Sequence, residues 1–471
     1  MILVSGFQKN IYKWQLTIVF GILFCVMISF RAVAASDDLP PLPKGPLILT
    51  SITQEQLSPE YWVKHLPHAD QILKTKKEIE AFNQEIRQMV PEQKDVFKIE
   101  AFMQGLDIQN AVRSAYETVM GRKLFDEKGK VISKNFFENE IKTLLELESI
   151  PTRVKVKWGA AIKATSIRAL PTWVKMVEGI GDIEFDQLQF TLIKLWTPVA
   201  IYHETSDGQW YYIQAPYVRG WVMSKDIAIF SSKQALQKKV ESESFLVVTG
   251  ESALICSDEL CASELQQASM GTMLPLIDQN SSAYTVSVPL RETDGNVNFG
   301  KGYIKATSDV TKDYPTFTQA NIIRQAFKLL GARYGWGGMY NGRDCSGFTQ
   351  DVFLSLGVDM PRDSKQQAMV GTPLGSFSPY KGAEQKISIL DNMATPAITL
   401  LRMPHHLMLY IGEVDRKFYV IHSTWAERIG QDPVKDEKRR INQVVVSDLS
   451  SNGKSYLGDL FDRMVQINEV N

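Results

Sequence analysis

The run GARYGWGGMYNGRDCSGFTQDVFLSLG constrains the chain more than any other segment, because it sets a cysteine at the mouth of an apolar helix. Asp344 and Ser346, both good helix-starting residues, flank Cys345. Phe348, Val352, Phe353 and Leu356 then recur with helical spacing toward Gly357. Cys345 is therefore expected at a helix N-terminus. There the unpaired N–H groups and the macrodipole favour a thiolate and can stabilise negative charge on a substrate oxygen. A thiol that attacks a carbonyl also needs a base.

Two histidines downstream can supply one. His406 leads the alternating stretch Leu407 to Ile411, which ends at Gly412, and His422 closes a second stretch, Phe418 to Ile421, after the polar turn Glu413 to Lys417. The pattern predicts a hairpin in which the start of one strand lies beside the end of the other, so that His406 and His422 meet on one side of a sheet. His406 would take the thiol proton, and His422 would hold its ring in the right tautomer. Taken singly, a buried cysteine and a strand histidine are ordinary structural residues. The combination is what points to nucleophilic catalysis.

From about Thr316 to the C-terminus the chain resembles the NlpC-type cell-wall cysteine peptidases. The likeness rests on YGWGG before the cysteine, DCSGF around it, MPRDSKQQ after the next helix, HLMLYIG, and YVIH. It implies a papain-like fold, with a helix packed on an antiparallel sheet, and a Cys345, His406 and His422 set that cleaves peptidoglycan stem peptides. His405 stands where close relatives tend to place glycine. It follows Pro404 and reads as loop, so register favours His406 as the base. The subgroup with N-terminal SH3-like domains cuts after D-glutamate, at its γ-linked bond to a diamino acid, in peptides with a free N-terminal L-alanine. That likeness assigns Asp344 to the substrate's ammonium and the Tyr334 and Ser346 hydroxyls to hydrogen bonds. Asp344 can equally be a helix cap only, and the two roles are compatible.

The N-terminus carries Lys9 and Lys13, the apolar run Leu16 to Phe30, and Ala32-Val33-Ala34, the layout of a cleaved export signal. A retained anchor is the alternative, but the run is short of the ~20 residues a spanning helix needs. Cys25 lacks the small preceding residue of a lipid-attachment site. Removal of the signal leaves Cys256, Cys261 and Cys345. The first two bracket ICSDELCAS, where a local disulfide or a weaker C-x4-C metal site can form. An odd thiol in an exported protein agrees with a reactive Cys345.

The remaining chain has to be accounted for as well. At 471 residues and 44% hydrophobic content it suits several domains. The net charge of −1, without a basic cluster interleaved with aromatics, does not favour nucleic acid. Apolar residues at helical spacing in SPEYWVKHL, KKEIEAFNQEIRQMV and KIEAFMQGLDIQNAVRSAYETVM predict a helical region, in which Tyr61 and Trp62 are packing residues. Short β-type runs follow, among them FTLIKLWTPVAIYHET and SDGQWYYIQAP. With Gly220-Trp221-Val222 they resemble a bacterial SH3-like barrel, and the stretch from Phe245 to Thr307 resembles a second one more weakly. In the resembling subgroup the first barrel narrows the catalytic cleft. Trp210, Tyr211, Tyr212 and Trp221 either line that wall or fill a small barrel core.

The expected organisation is a multidomain α+β chain: a signal peptide over 1–34, a helical region over 35–150, SH3-like domains over 151–242 and 243–312, and a papain-like peptidase domain over 313–471. The expected activity is exported, periplasmic or extracellular hydrolysis of the D-Glu to diamino acid (diaminopimelate) bond through a thioester. That chemistry uses no metal or organic cofactor, and no stable membrane anchor remains after signal cleavage. Rival readings are an amidase or acyltransferase on the same scaffold, or a wall-binding protein without activity.

Overall fold

A computed structural model describes residues 45–429, 437–453 and 455–471. The export signal expected over 1–34, Cys25 included, lies outside the described residues. No helix among the described residues is long and apolar enough to cross a membrane.

The helical region begins with a short helix, Pro59–Val63, whose proline sits in the first turn where a missing N–H costs little. Helix α1 (Lys76–Met89) opens on a capping box between Thr75 and Glu78 and buries Ile79, Phe82 and Ile86. Trp62 is 1% exposed, donates its indole N–H to the Gln56 carbonyl and packs 5.1 Å from the Tyr419 ring, as a packing residue should. Helix α2 (Gly105–Met120) starts later than its periodicity predicts, because Phe102–Gln104 is extended and pairs antiparallel with Arg153–Lys155. Gly105 marks the change. A Cβ there would lie 1.9 Å from the Pro151 carbonyl oxygen, so only glycine lets the chain turn into a helix beside its partner strand.

Two antiparallel sheets follow. Strands between Lys157 and Phe230 form a seven-stranded sheet, and Trp210, Tyr211, Tyr212 and Trp221 are all buried within it. Of the two readings of these aromatics, core filling is the one realised. The helix Lys233–Val240 leads to a second seven-stranded sheet between Phe245 and Lys312. In it Cys256 and Cys261 form a disulfide with Cα atoms 5.0 Å apart, which leaves Cys345 as the free thiol among the described residues.

The C-terminal part packs α3 (Gln319–Lys328) and α4 (Cys345–Leu354) on a six-stranded sheet. In chain order its strands are β1 (Thr372–Ser376), β2 (Thr399–Met403), β3 (His406–Val414), β4 (Lys417–Ile429), β5 (Glu437–Asp448) and β6 (Gln466–Glu469), and in space they run β1-β6-β2-β3-β4-β5. Phe348, Val352 and Phe353 of α4 share a core with Leu407, Leu409 and Ile411 of β3 and Ile421 of β4. The predicted β3–β4 hairpin forms, with two differences. Its turn is only Asp415-Arg416, both at positive φ (51° and 62°), as a two-residue hairpin connection requires. In addition, β4 does not end at His422. It continues to Ile429 because β5 pairs along it, Ile429 with Glu437 and His422 with Val445.

Candidate active site

Helix α4 starts at Cys345 because Asp344 caps it, the carboxylate accepting the Gly347 N–H at 2.8 Å. The thiol is 9% exposed and faces the start of β3. Burial pushes its pKa up to about 12, the Asp344 charge adds to this, and the Leu407 and Ser346 backbone amides pull only partly the other way. The helix start therefore does not by itself yield a thiolate, contrary to the expectation from its position. Desolvation and an adjacent anion outweigh the macrodipole.

The histidines meet as the hairpin predicts. His406 Nε2 and His422 Nδ1 are 2.6 Å apart, and His422 Nε2 lies 3.0 Å from the Ser447 hydroxyl on β5. His406 keeps a partly exposed edge but is enclosed enough that burial, helped by Arg463, lowers its pKa to about 4. Burial, followed by the neighbouring His406 ring and Arg463, also drives His422 well below its ordinary value. Both rings are neutral at pH 7, so the resting groups are a thiol and two imidazoles. His405 stands on the two-residue connection Pro404-His405 between β2 and β3, at φ 64°, exposed. His406 is thus the histidine joined to His422.

The expected amine-binding trio is arranged differently. Asp344 is 8% exposed and its carboxylate is fully engaged: Arg362 donates to both oxygens at 3.0 and 2.6 Å, and the Gly347 and Gly337 amides donate at 2.8 and 2.9 Å. Burial raises its pKa, but Arg362 and the amides outweigh this and hold it below the usual carboxylate value. The Ser346 hydroxyl accepts from Arg362 at 2.9 Å. Tyr334 is a neutral phenol, burial holding its pKa well above 10. It lines a cavity of about 210 Å³ together with His405, His406, His422 and Trp425. The Asp344 charge is thus compensated within the protein before any substrate enters.

The loop 171–188 of the first β-sheet packs against two residues that line this cavity, Tyr334 and Trp425. A buried ion pair between Arg168 and Asp186, 2.9 Å, braces the loop, and the Asp186 carboxylate accepts the Met176 and Leu188 amides. The tip then packs on the catalytic part. Phe185 sits 5.3 to 6.4 Å from the rings of Trp425, Trp336 and Tyr334, and Glu184 accepts the Trp425 indole N–H. Gly337 and Gly338 of YGWGG allow the close approach, both at positive φ, with any Cβ lying 2.8 Å from Gln189 or 3.0 Å from Leu192. Arg362 completes the join by donating Nε–H to Thr191.

Arg362, Ser447 and the Glu184-Phe185 tip were not singled out in the sequence. Arg362 lies inside MPRDSKQQ, so a signal existed. Ser447 and Phe185 carry none, because only strand register and loop path bring them to the site. Among the described residues no group of His, Cys, Asp or Glu side chains is arranged to hold a metal ion.

Residues 331–446 match the NlpC/P60 family and residues 178–223 an SH3 domain of the SH3b1 type. Two curated relatives, both named gamma-D-glutamyl-L-lysine dipeptidyl-peptidase, come from Bacillus cereus and Bacillus subtilis. The first is 28% identical over 216 residues, 44% of this chain and 57% of that protein. The second is 32% identical over 148 residues, 30% of this chain and 42% of that protein. The chain spans about half the length of the curated relatives it matches. A solved NlpC/P60 endopeptidase from Photobacterium damselae subsp. piscicida superposes with a TM-score of 0.70 at 17% identity, over 92% of this chain and 98% of that one, which shows a common fold.

Proposed function

We propose that this chain, with an NlpC/P60 domain over residues 331–446 behind an SH3 domain over 178–223, is a cysteine endopeptidase of peptidoglycan that cleaves the γ-D-glutamyl to diamino acid bond of stem peptides. The observation that carries the reading is the 2.6 Å contact between His406 Nε2 and His422 Nδ1, with Cys345 opening α4 beside Leu407. Cys345 attacks the γ-carbonyl of D-glutamate while His406 accepts the thiol proton. His406 returns that proton to the leaving amine of the diamino acid, and water hydrolyses the thioester. The Ser346 amide and its neighbours at the helix start stabilise the oxyanion. The names of the two Bacillus relatives support the bond and the substrate class.

A preference for a free N-terminal L-alanine follows in this reading from closure of the cleft, not from an open carboxylate. Asp344 is already bonded by Arg362, whereas Phe185 and Glu184 pack behind Tyr334 and Trp425, the wall against which this reading sets the substrate's N-terminus. Export through residues 1–34 belongs to the same proposal.

The test is mass spectrometry of L-Ala-γ-D-Glu-diaminopimelate digests. Release of the L-Ala-D-Glu dipeptide, abolished in Cys345→Ala, supports the reading. Loss of a whole stem from the sugar, or gain of an amine, would favour an amidase or acyltransferase, and unchanged turnover by Cys345→Ala would overturn the mechanism. Equal rates on free and N-acetylated tripeptide would remove the closure argument.

A further inference from the structure

We infer that Ser447 is a positioning residue: its hydroxyl takes the His422 Nε2–H and so supports the tautomer that leaves His406 Nδ1 open to the thiol proton. The inference rests on the peptidase reading for its catalytic consequence, though the tautomers themselves are a property of the folded chain.

His406 uses Nε2 toward His422, so Nδ1 is the nitrogen left to accept the Cys345 proton. A neutral imidazole has one N–H and one lone pair. If Nδ1 of His406 is to be the base, its N–H must sit on Nε2 and point at His422 Nδ1, which must then offer a lone pair. The hydrogen of His422 is thereby confined to Nε2, and 3.0 Å away stands the Ser447 hydroxyl oxygen as its acceptor. Reverse the His422 tautomer and the chain fails at its first link: His422 Nδ1–H would face His406 Nε2, turn that nitrogen into an acceptor, and move the His406 hydrogen onto the nitrogen that has to accept the thiol proton.

A hydroxyl can donate as well as accept, so what Ser447 contributes is an acceptor at the right place for the His422 Nε2–H and a fixed position for the ring. Burial and the Arg463 charge keep both rings uncharged, so neither histidine can satisfy all its neighbours by becoming a cation with two N–H groups. Among the described residues no carboxylate bonds the His422 ring as an aspartate does in a serine protease, and a neutral hydroxyl stands there instead. Ser447 is 2% exposed and His422 3% exposed, so water does not compete readily for Nε2. Strand register fixes the pair, since His422 lies across from Val445 and Ser447 is the next residue on that face of β5.

Two measurements decide the matter. Nitrogen-15 NMR of histidine-labelled parent protein near pH 7 should report His422 protonated at Nε2 and His406 protonated at Nε2. A His422 signal of the Nδ1–H form would overturn the inference, whether or not the protein cleaves muropeptides. In kinetics on the tripeptide, Ser447→Ala should lower kcat about 10- to 100-fold with KM within twofold, while Ser447→Thr, which keeps the hydroxyl, should stay within threefold of the parent. A Ser447→Ala enzyme with kcat within twofold of the parent, or a Ser447→Thr enzyme as slow as the alanine variant with an unchanged melting point, would overturn it. Should Ser447→Ala not fold, the parent spectrum and the threonine variant still decide. A parent without any tripeptide cleavage sinks the peptidase reading alone.

Discussion

At the scale of single residues the site is governed by burial more than by formal charge. His406 is depressed to about 4 in the folded chain against 6.5 when unfolded, so its neutral, proton-accepting form persists through mild acid. The acid limb of kcat/KM should accordingly fall nearer pH 4 than pH 6.5, which a pH–rate profile on the tripeptide checks. The same shift sets a stability slope. As pH drops from 6.5 toward 4 the unfolded chain gains a proton on this ring that the folded chain refuses, so stability present above pH 6.5 is lost, up to about 3 kcal/mol for His406. Melting points between pH 7 and 4 should decline, and His406→Asn should decline less over that window. Arg362 offers a second test. Arg362→Met strands the buried Asp344 carboxylate and should cost about 3–5 kcal/mol in a denaturant titration, whereas the double variant with Asp344→Asn should recover much of it. A single variant within 1 kcal/mol of the parent would mean that the ion pair is not what holds the α4 start.

Secondary-structure elements place these residues, and here turn chemistry decides. The β2–β3 connection puts Pro404 first and a residue at positive φ second, the pattern of a type II turn, in which glycine is favoured at the second position. His405→Gly should therefore stabilise the chain by about 0.5–1 kcal/mol and leave turnover within twofold, while His406→Ala should abolish it. Loss of activity in His405→Gly would mean the exposed ring touches substrate. This turn also shows what a sequence can reveal. Proline before His405 and the apolar alternation after His406 were enough to separate loop from strand, and Asp344, Cys345 and the apolar spacing after them located the start of α4. The same local signals failed at Phe102–Gln104, where helical periodicity lost to pairing with Arg153–Lys155, and at His422, where the polar residues beyond it concealed a strand held by β5. Long-range pairing leaves no mark on the residues that undergo it.

For the whole molecule the informative contact is Asp351, on the second turn of α4. It takes Lys194 from the end of a first-sheet strand at 2.7 Å and Arg343 at 2.7 Å, and Arg343 in turn donates to the Glu251 carbonyl beside the second sheet at 2.9 Å. Burial raises the Asp351 pKa, but the two cations outweigh it, and burial of Lys194 lowers its pKa despite the pairing. A node of this kind, beside a junction cavity of about 620 Å³, couples both β-sheets to the helix that carries Cys345. The parent should then melt in one calorimetric transition. Asp351→Ala leaves two buried cations facing each other, which should cost about 3–5 kcal/mol and split or broaden that transition. Lys163→Ala supplies the control, since Lys163 is half exposed and its buried partner Asp226 keeps the Thr165 hydroxyl as a second donor, so its loss should cost about 1 kcal/mol. If Asp351→Ala moves the midpoint no further than Lys163→Ala, the β-sheets are tethered by their loops alone. The Phe185 tip would then close the cleft only part of the time, and N-acetylated tripeptide should be cut nearly as fast as free tripeptide.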